Sequence, residues 1–380
     1  MPVRAREIGI NIGRGKPGKH NAITDVPGVK VGHVTLIEGK GKLVVGKGPV
    51  RTGVTMILGH PGHPFDEPLY AGAHWFNGNG ELTGMAWIQE FGLLTSPIAL
   101  TNSSSVGVVR DAIGSIEASM LLPEQNPWSL PVVGETWDAA LNDMAGGHVK
   151  PEHVWEAFRK AKDGPVAEGN VGGGTAQIAF GFKSGIGTAS RKLPDSDGGW
   201  TVGVLLQANH GRRDNLTVLG APVGEEIPAT AVPFPQPPEA TYRPGAGSIP
   251  IIVATDAPLL PHQCQRLARR AGIGMLRSGG LAENDSGDLF FAFSTANRGK
   301  IPGPNIVHSP LKHDLTVLTD AFLDPIFEAA AEATEEAILN SLLMAETMTG
   351  RDNVTAHALP PALLLKILAK YKRGPRPAGS

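Results

Sequence analysis

The sequence predicts a four-layer α-β-β-α sandwich of the mixed α/β (α+β) class. Three observations predict it. Short apolar, β-branched runs bounded by Gly, Pro, Asn or Asp recur along the chain, several continuous enough to be covered on both faces. Amphipathic helical patterns stand between them, most with small residues on the inward side. The two kinds of segment do not alternate in regular βαβ units of about 30 residues, which favours stacked sheets with outer helices over a Rossmann-type sheet.

In chain order, residues 53–58 and 96–101 read as strands. A helix follows Asn102-Ser103 and runs through Met120, and another runs from Pro151 through Lys162, with proline where the missing donor costs nothing. Residues 200–208 are the next strand, and residues 249–255 another. Thr255-Asp256-Ala257-Pro258 opens a helix reaching Ala271, and residues 288–295 return to strand. From Asp324-Pro325 onward, Ile326, Ala330, Ala333, Ala337, Ile338, Leu342 and Ala345 recur at spacings of three and four. Glu328, Glu332, Glu335 and Glu336 take the other faces, and Gly350 follows the helix end. A last helix runs from Pro360 through Tyr371. Residues 224–247 break the pattern, with Pro228, Pro233, Pro235, Pro237, Pro238 and Pro244 and few apolar residues. Such a stretch is an extended, solvated connector, serving as a domain linker or as a processing site inside one domain.

Composition bounds the function. Of 380 residues, 41% are hydrophobic and 18% charged, enough to bury a sizeable core and too apolar for global disorder. Lys+Arg 34 against Asp+Glu 36 leaves a net charge of -2 and no basic footprint, so nucleic acid is not an expected partner. Cys264 is the single cysteine, which excludes an internal disulfide and a cysteine-based zinc site. The N-terminal residues lack a following apolar run, and no stretch approaches about 18 apolar residues, so the expectation is a soluble, cytoplasmic protein without a membrane partner.

Four segments hold residue types that suit acyl chemistry. The connector ends in Gly247-Ser248 at the head of an apolar strand. Glycine there admits backbone conformations closed to other residues, and brings its carbonyl within reach of the serine hydroxyl, as an N-to-O acyl shift needs. Cleavage would give Ser248 a hydroxyl and a free α-amine on one residue, and an amine of pKa about 7.7–8.0 is a usable base near neutrality. In Ser286-Gly287-Asp288, positions i and i+2 share a strand face, so the carboxylate can orient the hydroxyl, and through it an amine. Asn209 ends the strand 200–208 as a donor suited to a developing oxyanion. Glu135, at an expected strand-to-helix junction, suits a cationic amine or a helix N-terminus. Each pattern also has an ordinary reading as a turn or cap.

At these segments together the chain resembles the DmpA-like family of self-processing aminopeptidases, which includes the L-aminopeptidase/D-amidase-esterases and the β-peptidyl aminopeptidases. The resemblance extends over nearly the whole chain, including residues 23–33, Thr101-Asn102-Ser103-Ser104-Ser105-Val106-Gly107 and Gly169-Asn170-Val171-Gly172-Gly173-Gly174-Thr175. It implies a four-layer fold like that of the ornithine acetyltransferases, resembling the Ntn hydrolases with different connectivity. It implies one domain, cut into residues 1–247 and 248–380, and an assembly of processed pairs as a homo-oligomer, a tetramer in the family. It places the nucleophile at Ser248, the supporting serine and carboxylate at Ser286 and Asp288, the oxyanion asparagine at Asn209, and the acid that holds the substrate amine at Glu135. Trp137 stands where the type enzyme has tyrosine, which bears on the oxyanion partner and on the choice among L, D and β residues. The implied activity is serine-type release of N-terminal residues from short peptides, amides or esters, with no cofactor. An acyltransferase of the ornithine acetyltransferase type and an unprocessed binding protein are the alternatives; the former use threonine at the cut, against Ser248.

Other candidates carry less. The glycine run at 169–174 lacks the Lys-Ser/Thr ending of a phosphate loop. His60, His63 and His74 lack an accompanying carboxylate cluster for a metal, and Trp75 and Trp87 are expected in the core.

Overall fold

The computed structural model describes residues 1–121, 128–237, 245–303 and 310–375. Two sheets stack face to face. The smaller joins β1 (Lys30–Glu38), β2 (Val50–Leu58), β5 (Ile98–Asn102) and β6 (Val132–Thr136) in that order. The larger runs from β4 (Leu93–Leu94) through β3 (Leu69–Gly78), β13 (Ser286–Ser294), β12 (Gly245–Thr255) and β10 (Thr201–Gln207) to β9 (Ile186–Lys192). A short strand, β11 (Asn209–Gly211), pairs with the start of β12. A tight hairpin, β7 (Ile178–Ala179) and β8 (Phe182–Lys183), lies beside it.

Each layer follows from alternation along the strands. Ile57, Ile98 and Leu100 of the small sheet meet Ile252, Ala254, Phe291 and Phe293 of the large one in a core between the sheets. The opposite face of the small sheet packs on α2 (Val106–Met120) and α3 (Pro151–Lys160) through Val54, Met56, Ala99, Val109, Ile113 and Val154. The opposite face of the large sheet packs through Ile249, Ile251, Val253 and Phe290 on α4 (Pro261–Arg277) and α5 (Asp324–Leu343), with α6 (Pro361–Lys370) in the same core. A short α1 (Met85–Phe91) lies against β3. This is the expected α-β-β-α order. Among the described residues no helix is long and apolar enough to cross a membrane.

Small residues set the layer spacing. A methyl at Gly187 of β9 would lie 2.0 Å from the Ala337 carbonyl of α5, and one at Gly32 of β1 would lie 2.1 Å from the Ala157 carbonyl of α3.

Several expectations are corrected. The fourth helix starts at Pro261, not near Pro258, because Asp256 is occupied in a loop where its carboxylate accepts the Thr201 N–H at 2.6 Å. Glu332, Glu335 and Glu336 are buried rather than on a solvated face, since β9, α4 and the N-terminal segment each supply partners. Arg191 pairs with Glu332 at 3.0 Å and Glu336 at 2.8 Å, Arg6 pairs with Glu336 at 2.9 Å, and Arg277 pairs with Glu335 at 2.7 Å. Part of the 224–247 connector is also packed, with Ile227 and Val232 in the core and the Val232 carbonyl accepting from Arg213 at 2.5 Å. Its middle, residues 238–244, lies outside the described residues. Trp75 is 41% exposed rather than in the core, whereas Trp87 packs against the core between the sheets.

Candidate active site

Ser248 sits near the head of β12, inside the large sheet. On one side it is directly opposite Asn209 in an antiparallel pair, and on the other it is level with Gly287 in a parallel one. Alternation turns Ser248 to the same face as Ile252 and Ala254, toward the small sheet, while Ile249 and Ile251 face the helices. The hydroxyl is buried, and beside it Gly287 contributes no side chain.

Gly247 is needed for a different reason from the expected one. Its backbone is not left-handed, but a Cβ there would lie 1.9 Å from the Asn209 carbonyl oxygen. The requirement is space, and it presses β11 against the Gly247-Ser248 peptide.

Ser286 and Asp288 share a face as expected, and the Ser286 hydroxyl donates to Asp288 Oδ1 at 2.8 Å. They lie on the helix side of β13 with Phe290 and Ala292, opposite to the Ser248 hydroxyl. Because Ser286 is in register with Gly247, what the pair flanks is the backbone on the N-terminal side of Ser248, where the α-amine would form. Burial pushes the Asp288 carboxyl up, while the Ser286 and Asn77 hydrogen bonds hold it down. Asn77 was not singled out in the sequence. Its amide donates to Asp288 Oδ2 at 3.1 Å and to the carbonyls of Ala282 and Glu283 at 2.8 and 3.0 Å, tying the carboxylate to the turn before β13.

Asn209 accepts the Ile178 N–H on Oδ1 at 3.1 Å, which leaves its NH2 end as the available donor. Gln207, two residues earlier, reaches across to the small sheet and donates to the Thr101 carbonyl at 2.9 Å and Thr136 Oγ1 at 2.6 Å. That fixes the two sheets relative to each other at the site.

Glu135 lies on β6 and no helix directly follows it, so it has no helix terminus to favour; the chain turns at residues 139–141 before a short 3-10 segment, Met144–Gly146. Its carboxylate accepts the Glu81 N–H at 3.0 Å and the Ser103 hydroxyl. Burial raises its pKa against these two hydrogen bonds. A methyl at Gly80 would lie 3.2 Å from both Glu135 Oε1 and Gly287 Cα, which places the carboxylate beside the strand segment level with Ser248. Trp137 packs on the cluster of Ala140, Leu141 and Ile178, the residue whose N–H holds Asn209. Asp138, which the sequence did not flag, is buried behind Glu135 and pushed up to about 7 by that burial.

The set-aside segments have structural uses. His60 Nε2 is 2.8 Å from the Glu67 carbonyl, and His74 packs edge-on against Phe76. Gly173 lies against Gln207 and the Leu100 carbonyl, where a Cβ would clash at 2.2 and 2.7 Å, so the glycine run serves sheet contact. Among the described residues no group of three or more His, Cys, Asp or Glu is placed to hold a metal ion.

The arrangement supplies a buried hydroxyl, a Ser–Asp pair beside its backbone nitrogen, an amide donor opposite, and a carboxylate nearby. Comparison with known proteins points the same way. Residues 21–356 match the model of peptidase family S58. The chain is 50% identical to a beta-peptidyl aminopeptidase of Sphingosinicella microcystinivorans, over 97% of this chain and 93% of that protein. A beta-aminopeptidase structure from a Burkholderia species superposes with a TM-score of 0.88 at 47% identity, over 99% of this chain and 100% of the other. The L-aminopeptidase D-Ala-esterase/amidase of Ochrobactrum anthropi, described as a prototype of the serine aminopeptidases and a variant of the Ntn hydrolase fold, gives 0.88 at 41% identity, over 98% and 99%.

Proposed function

This chain belongs to peptidase family S58 and is a serine-type aminopeptidase; we propose that it matures by cutting its own Gly247–Ser248 bond and works with Ser248 as nucleophile. The observation that carries this reading is the seat of Ser248, opposite Asn209 and level with Gly287, with Ser286–Asp288 beside the bond to be cut. These relatives do not favour an acyltransferase or a non-catalytic binding role.

In maturation, the Ser248 hydroxyl attacks the Gly247 carbonyl and the peptide C–N bond breaks. This leaves an ester between Gly247 and Ser248 Oγ and a free α-amine on Ser248. Water hydrolyses the ester, and Gly247 ends as a carboxylate. In turnover, the α-amine takes the hydroxyl proton as Ser248 attacks the carbonyl after the first residue of a peptide. The proton passes to the leaving amine, and water releases the acyl group. The NH2 of Asn209 donates to the tetrahedral oxyanion, a contribution worth about 10²–10³ in rate at such sites. Ser286, held by Asp288, orients the α-amine, and Glu135 pairs with the substrate ammonium. A substrate without a free amine leaves that buried carboxylate without a counter-charge.

The similarity to two proteins named for beta-peptide or beta-amino substrates supports acceptance of N-terminal β-residues. We further propose that the processed pair assembles as a homo-oligomer, as the family resemblance implies. The test is intact mass under denaturing conditions with N-terminal sequencing of the smaller fragment, followed by assay on β-alanyl and L-alanyl anilides. The reading expects a fragment starting Ser248-Ile249-Pro250, an uncut and inactive Ser248→Ala protein, and faster turnover of the β-alanyl substrate. A chain that stays whole while active overturns it.

A further inference from the structure

The oxyanion donor of this site is itself held by a separate small element. The β7–β8 hairpin turns through Phe180 and Gly181, with φ of 52° and 69°, and lies along residues 208–211. Four hydrogen bonds join the two segments. Ile178 N–H donates to Asn209 Oδ1 at 3.1 Å, Phe180 N–H to the His210 carbonyl at 2.8 Å, and Ser184 Oγ to the Ala208 carbonyl at 2.6 Å, while Ala208 N–H donates to the Gly185 carbonyl at 3.0 Å. The Phe180 ring packs edge-on to His210 at 4.9 Å, and a Cβ at Gly211 would strike that ring at 2.4 Å. Asn209 is therefore bracketed on both sides in the chain as well as at its own carboxamide.

The bond to the carboxamide decides which end faces the nucleophile. A free asparagine can present either its oxygen or its NH2 to a neighbour. Here a buried N–H takes the oxygen, and reversing the amide would set NH2 against N–H and leave both donors unpaired. Directly opposed residues in an antiparallel pair hold their Cβ atoms about 4.5–5.5 Å apart, so the NH2 is kept within reach of the carbonyl that Ser248 attacks.

We propose that the hairpin of residues 178–185 is a positioning device for the oxyanion donor, and that Ser184 is its side-chain anchor. Ser184 touches neither substrate nor Ser248 in this role; it holds the Ala208 carbonyl and thereby the backbone from which Asn209 projects. Being made before the substrate arrives, these bonds cost no reorganisation in the transition state. The proposal rests on the reading of Asn209 as the oxyanion donor.

A double-mutant cycle on the processed enzyme tests it, with kcat and KM measured for Ser184→Ala, Asn209→Ala and the pair. Asn209→Ala is expected to lower kcat by about 10²–10³. Ser184→Ala is expected to lower kcat by about tenfold or more with KM nearly unchanged, since misplacement of a donor acts on the transition state. Ser184→Thr, which keeps the hydroxyl, recovers most of the loss. In the Asn209→Ala background Ser184→Ala adds little, because its target is already gone. Ser184→Cys, a weaker donor of similar size, replaces the alanine form if that protein does not fold. If the two losses multiply independently, or Ser184→Ala changes KM alone, the positioning role is overturned while Asn209 keeps its own. If Asn209→Ala leaves kcat unchanged, the oxyanion reading fails and the hairpin proposal with it.

Discussion

In the proposed reaction Glu135 couples its local environment to turnover. To pair with a substrate ammonium it must be ionised, yet burial raises its pKa above its ordinary value, with Ser103 and the Glu81 N–H pulling the other way. Protonation therefore removes binding as pH falls through that raised value. The α-amine of a processed Ser248, ordinarily near 7.7–8.0, must also be unprotonated to act as base. Two protons thus suppress the reaction on the acid side, and log(kcat/KM) against pH should steepen toward a slope of about 2 below both values. Glu135→Gln should lower kcat/KM and leave a slope of about 1. A parent slope of 1 throughout would remove Glu135 from amine binding. At this scale residue type and spacing left Ser248, Ser286, Asp288 and Asn209 open to ordinary turn and cap readings, and it was the family resemblance that singled them out together; the fold sets Asn209 opposite Ser248 and hydrogen-bonds Ser286 to Asp288. Asn77 was not singled out, because Asn77-Gly78-Asn79 carries an ordinary turn signal and its carboxylate partner is 211 residues away. Asp138 was missed because its raised pKa comes from burial that only the assembled fold supplies.

Among the elements, helices were easier to read than strands, and at three of the missed strands glycine is part of the reason. The periods of α2, α3, α5 and α6 predict helices close to the observed ones. Strands β1, β3 and β9 gave no such signal, and Gly32, Gly72 and Gly187 interrupt them. In local sequence such a glycine reads as a breaker. In the fold it is a contact point, as at Gly72, where a Cβ would come within 2.3 Å of the Gln265 nitrogen of α4. The same logic applies to the approach of β11 to β12. A methyl at Gly247 would meet the Asn209 carbonyl oxygen at 1.9 Å, so Gly247→Ala must push β11 away from the peptide that Ser248 is proposed to attack. Attack needs the reacting atoms held about 3–3.5 Å apart in the right orientation. Gly247→Ala is expected to run mainly as a single chain on a denaturing gel, with cleavage slowed by about tenfold or more over a time course. Cleavage at the parent rate would show that the close approach is packing without a role in maturation.

For the whole molecule, the position of the proposed cut determines what that cut would leave behind. Residue 247 divides the chain in sequence but not in space, because β12 and β13 lie in the large sheet between β3 and β10, which come from the other side of the cut. Helices α4 and α5 follow the cut in sequence, and α5 carries the buried Glu332 and Glu336 whose cationic partners, Arg6 and Arg191, precede it. Separating the pieces would expose the core between the sheets and strand those carboxylates, and leaving one partner of a buried ion pair uncompensated typically costs about 3–5 kcal/mol. This interleaving also accounts for what composition did not reveal at the 224–247 connector, since a proline-rich stretch looks the same whether it joins two cores or threads one. The processed protein is expected to give two bands on a denaturing gel, to elute as one species under native conditions, and to unfold in a single transition near that of uncut Ser248→Ala. Residues 1–247 and 248–380 produced separately should each fail to fold, because each would hold an incomplete large sheet with unpaired interior edges. A stable, cooperatively folded fragment from either half would mean that the chain contains two independent cores and that the connector is a linker after all.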